Sequence, residues 1–163
     1  MASELWLLRH ADAVAHGARG RDDDRELTER GEAQSRAVGR ALRALGLAFV
    51  TVYTSPKVRA DSTARLACEA MGAAAPIVHE PLREGFTAAD ALALAREVDG
   101  ERMLIVGHNP DMAQIVYDVT GARVAFKKGG VAAIGLREQQ LLALLRPQEL
   151  RELASSGDAQ GTG

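Results

Sequence analysis

The sequence has a single cysteine, Cys68, and its aromatic residues amount to only 4% of 163 positions. One cysteine cannot form an intramolecular disulfide, so nothing requires an oxidising compartment and we expect a cytoplasmic protein. Long apolar runs are also missing. No stretch approaches the roughly 18 consecutive apolar residues of a membrane-spanning helix, and Arg9 and His10 interrupt the only early apolar run. We therefore expect neither a membrane anchor nor a signal peptide.

Motifs that carry metal or cofactor chemistry are absent as well. The chain has no HExxH pattern, no Cys/His cluster, no P-loop, no GxGxxG turn and no GxSxG elbow, so zinc, nucleotide cradles and serine hydrolases lack sequence support. Three acidic residues stand together at Asp22–Asp24. Consecutive carboxylates cannot all face one ion, and we expect them in a solvated loop rather than at a magnesium site. The sequence predicts no metal and no cofactor.

Neither sign of charge is in large excess. Twenty lysines and arginines stand against 22 aspartates and glutamates, for a formal net charge of −2. Nucleic acids and anionic membranes select basic faces, so we expect neither among the partners, and any anion site must be local.

With 47% hydrophobic residues, the chain is long enough for one buried core. We expect one domain over residues 1–153 and a disordered, low-complexity tail over residues 154–163.

Short apolar runs and amphipathic segments alternate along the chain. Residues 3–8 are typical of a buried strand, and residues 29–46 of a helix that Thr28 caps. The last two apolar runs, at 131–136 and 141–146, indicate a hairpin or an edge pair. Such alternation predicts an α/β three-layer sandwich, in which a mixed, mostly parallel sheet carries helices on both faces. Ligands of these sheets bind at the carboxyl ends of the strands.

Basic side chains follow three of the predicted strands. Arg9 and His10 end the first strand, Arg59 follows a second strand expected at 47–54, and His108 ends a fourth expected at 102–109. Because these strand ends meet at one edge of the sheet, we expect two arginines and two histidines to converge on a compact pocket. A planar guanidinium matches phosphate oxygens in two-point contact, which favours a dianion such as phosphate as the ligand.

Three motifs together resemble those of the histidine phosphatase superfamily, the phosphoglycerate mutase-like proteins, and in particular its short SixA-type phosphohistidine phosphatase branch. They are the Arg9–His10 pair, the segment SPKVRADSTA at 55–64 and the turn VGHNP at 106–110. The similarity covers roughly residues 4–147. The usual RHG triplet of the family is RHA here, and we expect Ala11 to be tolerated unless the backbone there needs a positive φ.

The resemblance implies roles for the converging residues. The first-motif histidine is the nucleophile in the family, which implies this role for His10, with Arg9, Arg59 and His108 binding the phosphoryl group. The segment DRELTERG also resembles the branch, which makes Arg25 a further candidate for substrate contact. In the implied reaction a phosphohistidine forms on His10 and water hydrolyses it, without a metal. Neighbouring cations should lower the pKa of His10 and keep it nucleophilic.

The sequence does not determine which residue, if any, is the general acid. Larger members of the family that cleave phosphate esters use a glutamate to protonate the alkoxide. Glu84 stands at a similar position, while Glu80 lies nearer a third strand expected at 76–79. Imidazole is a much weaker base than an alkoxide, so a phosphohistidine substrate needs less assistance. We expect a phosphohistidine phosphatase that acts on a phosphohistidine-bearing signalling or phosphotransfer protein. The alternatives are a phosphomonoesterase for small phosphate esters, with Glu84 as acid, and a non-catalytic module that binds phosphorylated partners.

Overall fold

The computed structural model describes residues 1–17 and 20–159. The strands of its sheet are β1 (Glu4–Arg9), β2 (Thr51–Thr54), β3 (Ile77–Val78), β4 (Arg102–Gly107), β5 (Val131–Gly135) and β6 (Gln140–Leu145). Within the described residues they form one six-stranded sheet in the order β3-β2-β4-β1-β5-β6. β1 to β4 are parallel, whereas β5 is antiparallel to β1 and β6 is antiparallel to β5. This confirms the predicted mixed sheet and its terminal hairpin.

Helices cover both faces of the sheet. Over the same residues they are α1 (Glu29–Ala44), α2 (Val58–Met71), α3 (Ala88–Glu97), α4 (Asp111–Thr120) and α5 (Pro147–Ala159). Buried side chains of α1, α2 and α5 pack on one face, and those of α3 and α4 pack on the other. The side chains of β1 therefore alternate between two apolar cores, with Leu5 and Leu7 in one and Trp6 and Leu8 in the other. None of the helices in these ranges is long and apolar enough to cross a membrane.

The register of the two central strands brings the ends of β1 and β4 to the same level. Arg9 pairs with Gly107 in the parallel ladder, and the backbone N–H of His10 donates to the carbonyl oxygen of Gly107 at 3.0 Å. Because both strands end here, His10 and His108 leave the sheet side by side.

Helix α1 begins against the loop that follows His10. The Thr28 hydroxyl accepts the backbone N–H of Gly31, which is the predicted cap, and donates to the Asp12 carboxylate at 2.8 Å. Gly31 lies so close to this loop that a Cβ there would stand 1.9 Å from the carbonyl oxygen of Asp12. Glycine alone fits without displacement, so the start of α1 holds the backbone just beyond His10 in place.

Two expected boundaries are wrong. β2 begins at Thr51 rather than at residue 47, and α5 is helical to Ala159, so residues 154–159 are not a disordered tail. Leu150 and Ala154 are 1% and 4% exposed in the core that α5 shares with α1. Their spacing of four residues gives α5 a narrow apolar face, and at Gly157 the helix lies so close to α1 that a Cβ would stand 2.9 Å from the Cβ of Ala44. Residues 160–163 of the expected tail lie outside the described residues.

Candidate active site

His10 and His108 are buried next to each other at the carboxyl end of the sheet. Their ring centroids lie 5.4 Å apart, with the ring planes inclined at 56°. Only 7% of His10 and 4% of His108 is exposed. The structure thus brings together the two histidines that the sequence places at strand ends.

One hydrogen bond determines which nitrogen of His10 is free. Nδ1 lies 2.8 Å from the carbonyl oxygen of Ala11. A carbonyl oxygen only accepts, so the hydrogen-bond pattern assigns the hydrogen to Nδ1 and leaves the lone pair on Nε2. The backbone here is fixed as well, because Gly129 N lies 3.1 Å from the carbonyl oxygens of both Arg9 and His10, and Ala11 N donates to Thr63 Oγ1 at 3.0 Å. Ala11 does not have a positive φ, so the alanine of the RHA triplet is unstrained.

His108 is held through its Nε2, which lies 2.8 Å from the Ser55 hydroxyl. That hydroxyl also accepts the backbone N–H of Lys57 at 3.2 Å. Among the described residues the serine hydroxyl meets no acceptor other than this ring, so its hydrogen is assigned toward His108 Nε2, and the neutral ring then carries its own hydrogen on Nδ1. His108 Nδ1 is buried and has no hydrogen-bond partner among the described residues. It is therefore an unused N–H donor beside His10.

Arg9 and Arg59 each keep a buried Nε–H without a hydrogen-bond partner among the described residues. Arg9 Nη1 donates to the carbonyl oxygen of Phe126 at 2.7 Å. Arg59 Nη1 and Nη2 donate to the carbonyl and carboxylate oxygens of Asp22 at 2.9 and 3.2 Å. Each Nε is buried and meets no acceptor in the part of the chain that the structure describes. A buried polar group without a partner costs about 1–3 kcal/mol, so these donors favour a bound ligand with acceptor oxygens, such as a tetrahedral oxyanion.

Burial keeps both imidazoles neutral. Loss of solvation is the main reason that the pKa of His10 falls to about 3; the bond to Ala11 opposes it, and the charges of His108, Arg59 and Arg9 add to it. The pKa of His108 falls to about 4, again mainly through burial and then through Arg59. The predicted direction for His10 is confirmed, although burial contributes more than the neighbouring cations.

A buried lysine connects this pocket to two acidic loops. Lys57 immediately precedes α2 and is 4% exposed. Its Nζ lies 3.1 Å from Asp22 Oδ2 and 3.5 Å from Asp23 Oδ1, and it donates to the Glu84 carboxylate. We call Lys57, Asp22, Asp23 and Glu84 the Lys57 cluster. The carboxylates compensate an ammonium group that would otherwise be buried without a counter-charge.

The sequence did not indicate this cluster. Asp22–Asp24 form a short 3-10 turn, and the expectation of a solvated loop is wrong for Asp22, which binds Arg59 and Lys57. A run of acidic residues does not reveal which of its members meet cations from a distant helix. The one available signal is that Lys57 stands two positions before Arg59 in the same motif. Over residues 1–17 and 20–159, no group of three histidine, cysteine, aspartate or glutamate side chains is arranged to hold a metal ion.

Glu84 and Arg25 lie at the margin of the site. The Glu84 side chain is 59% exposed, and the hydrogen bond from Lys57 lowers the pKa of its carboxyl. Arg25 donates its Nε to Asp22 Oδ1 at 2.9 Å and its Nη1 to a backbone carbonyl at 3.0 Å, so these contacts hold the acidic turn. Glu80, the other carboxylate considered as an acid, pairs with a nearby arginine, and its side chain is 73% exposed.

Sequence comparison finds relatives of this chain. The family model of the histidine phosphatase superfamily (branch 1) matches residues 5–93. An uncharacterized protein of Picosynechococcus sp. is 33% identical over 141 residues, which cover 82% of this chain and 84% of the relative. The family model therefore spans more than half of the chain and includes three of the four converging residues.

Solved structures share the fold. A protein assigned as the phosphohistidine phosphatase SixA of Agrobacterium tumefaciens superposes with a TM-score of 0.80 at 22% identity, over 90% of this chain and 99% of that one. The protein histidine phosphatase SixA complexed with tungstate gives 0.77 at 22% identity, with the same coverage. A SixA protein of Nakamurella multipartitia gives 0.70 at 26% identity, over 90% of this chain and 97% of that one. Because this family model matches more than half of its residues, the chain belongs to the histidine phosphatase superfamily.

Proposed function

We propose that the protein is a phosphohistidine phosphatase, with His10 as nucleophile and a phosphohistidine-bearing protein as substrate. One arrangement carries this proposal: a lone pair on His10 Nε2 next to buried, unused N–H donors of Arg9, Arg59 and His108. Phosphoryl transfer requires a nucleophile together with donors for the phosphoryl oxygens. We place the reaction in the reducing cytoplasm, where the buried Cys68 stays a free thiol.

The first step is in-line attack of His10 Nε2 on phosphorus. The Nε2 lone pair forms the new N–P bond, while the bond between phosphorus and the substrate ring breaks. The substrate ring, protonated on its other nitrogen, keeps the electron pair of that bond and leaves as neutral imidazole. Arg9, Arg59 and His108 bind the equatorial oxygens, over which the charge of the transition state is spread. Water then attacks the phosphorus on His10 and the N–P bond breaks. The lone pair returns to Nε2, and the phosphate leaves with both hydrogens of the water.

The neutral state of both histidines supports this division of roles. With a pKa of about 3, His10 keeps its lone pair throughout the neutral pH range. With a pKa of about 4, His108 is also neutral and donates from Nδ1. A phosphoryl dianion in the pocket raises the pKa of His108, because it favours the protonated ring, and this strengthens the hydrogen bond as charge develops.

The Lys57 cluster favours a phosphoramidate substrate over an ester. The hydrogen bond from Lys57 lowers the pKa of Glu84, so this carboxyl is ionised at neutral pH and has no proton to donate. An alkoxide leaving group needs such a proton, whereas imidazole leaves as a much weaker base. A site without a protonated acid therefore suits phosphohistidine better than a sugar phosphate.

The test is trapping of the phosphoryl group during turnover. Incubation with a radiolabelled phosphohistidine protein, followed by quenching and peptide mapping, is expected to place an acid-labile, base-stable label on His10. His10→Ala is expected to lose the label and to lower turnover by at least about 1,000-fold. His16→Ala, which removes an exposed loop histidine, is the matched control.

Four other outcomes would contradict the proposal. Full activity of His10→Ala, or a label on another residue, would exclude His10 as nucleophile. Tight binding of the phosphoprotein without phosphate release would indicate a binding module. Faster turnover of p-nitrophenyl phosphate and sugar phosphates than of phosphohistidine would indicate a phosphomonoesterase.

A further inference from the structure

Asp22 holds the guanidinium of Arg59 at two points. Its carbonyl oxygen accepts from Arg59 Nη1 at 2.9 Å, and its Oδ2 accepts from Arg59 Nη2 at 3.2 Å. Both contacts lie on the outer end of the fork, where the two Nη groups stand side by side. A planar group held at two points has little freedom to rotate, so Asp22 determines which edge of the guanidinium faces elsewhere.

The edge that Asp22 leaves unused is the Nε edge. Arg59 Nε is buried and finds no acceptor within the described residues, and Arg59 as a whole is only 4% exposed. The charge of Arg59 lies close enough to His10 and to His108 to lower the pKa of each. Asp22 therefore occupies only the Nη end of the guanidinium. A second edge, made by Nε and one Nη, can still bind an oxyanion at two points.

Asp22 is itself fixed by two further cations. Its Oδ1 accepts from Arg25 Nε at 2.9 Å, and its Oδ2 also accepts from Lys57 Nζ at 3.1 Å. The Lys57 contact ties the 3-10 turn to the start of α2, which carries Arg59, whereas the Arg25 contact lies within the loop that contains Asp22. By fixing the Asp22 carboxylate, Arg25 and Lys57 also help to fix the orientation of the Arg59 guanidinium.

We propose that Asp22 is a positioning residue for the reaction: by binding the Nη end of Arg59 it directs the Nε edge toward the phosphoryl group beside His10. This inference rests on the proposed function, because it takes Arg59 to bind the phosphoryl group. Asp22 does not touch the substrate and acts only through Arg59.

A double-mutant cycle separates positioning from general structural support. Asp22→Ala is expected to lower kcat/KM for the phosphohistidine protein about 30-fold, since a misplacement of about 1 Å can cost about 100-fold. In the Arg59→Ala background the same change is expected to have less than about a 2-fold effect, because no guanidinium remains to be oriented. Arg59→Lys provides a second background with a retained charge, in case the activity of Arg59→Ala falls below detection.

Controls distinguish this effect from misfolding. Asp24→Ala removes an exposed carboxylate from the same turn and is expected to leave kcat/KM unchanged. Asp22→Asn keeps the carbonyl contact and an acceptor oxygen, so it is expected to lose only about 5-fold while staying folded. Thermal unfolding and circular dichroism of each variant check the fold.

The outcomes are distinguishable. An equal loss from Asp22→Ala with and without Arg59, or no loss in either background, would overturn the positioning role and leave the proposed function standing. Full activity of Arg59→Ala would overturn the role of Arg59 in the proposed function, and the inference with it. A loss confined to proteins that retain Arg59 supports the inference.

Discussion

Lowering the pH from 7 to 5 is expected to reduce the free energy of unfolding by about 4 kcal/mol through His10 and His108 alone. In the folded protein their pKa values are about 3 and about 4, below the ordinary value of 6.5. As the pH falls through 6.5, the unfolded chain binds a proton on each ring while the folded protein does not. The unfolded state is therefore favoured as the pH falls, from 6.5 down to the folded pKa values.

The magnitude follows from the distance between the pH and the unfolded pKa. Each pH unit in this window changes the free energy by about 1.4 kcal/mol per histidine. At pH 5, which is about 1.5 units below the unfolded value, each ring contributes about 2 kcal/mol and the pair about 4 kcal/mol. Domains of this size are stabilised by about 5–15 kcal/mol in total, so the loss is large.

Carboxylates contribute little to the change in the free energy of unfolding between pH 7 and pH 5. Asp22 and Glu84 have lowered pKa values in the folded protein, so they stabilise it at neutral pH. Their contribution begins to be lost only as the pH falls through the ordinary values of 3.8 and 4.5. A titration between pH 7 and pH 5 therefore reports mainly on the two histidines.

Urea unfolding at a series of pH values measures the effect. Trp6, the single tryptophan, is 6% exposed and reports unfolding by fluorescence. His10→Asn, which cannot bind the proton, is expected to reduce the pH dependence by half, whereas His16→Ala removes an exposed loop histidine as a control. A free energy of unfolding that stays constant from pH 7 to pH 5, or a His10→Asn variant with the full dependence, would refute the reasoning.

Other predictions concern packing and reactivity. Gly31→Ala places a Cβ 1.9 Å from the carbonyl oxygen of Asp12 and is expected to destabilise the protein in urea by more than about 2 kcal/mol. Gly135→Ala, where the nearest atoms would be 3.4 Å away, is its milder control. Leu150→Ala in α5 is expected to cost about 2–5 kcal/mol, since this side chain is 1% exposed; a negligible loss would show that α5 is peripheral. Burial raises the pKa of the Cys68 thiol to about 11, so a thiol reagent at pH 8 is expected to label it only in urea.

The fold and the pair of histidines could be predicted because they depend on regular patterns. β1 and β4 are short apolar runs with a polar residue directly at the end, and parallel strands end at a common edge. The register that aligns Arg9 with Gly107 then follows, and with it the proximity of His10 and His108. The cap of α1 at Thr28 could also be predicted, because the capping side chain lies next to the helix it serves.

The Lys57 cluster and α5 could not be predicted from the sequence, for two different reasons. The contacts of Asp22 with Lys57 and Arg59 join residues about 35 positions apart, and neither charge has a local pattern that identifies its partner. Helix α5 buries little more than Leu150 and Ala154 on a polar helix, so its periodic signal is weak. In both cases tertiary packing, rather than local preference, determines the structure.

The pairing of Arg9 with Gly107 also has a kinetic consequence. The two halves of the pocket are about 100 positions apart in the chain, so the pocket cannot form before that long loop is closed. A partly folded intermediate that lacks the β1–β4 pair has no assembled site. The rate at which phosphatase turnover recovers after dilution from urea would thus measure how fast the β1–β4 pair forms. Recovery of helical circular dichroism would report on local structure that can form earlier.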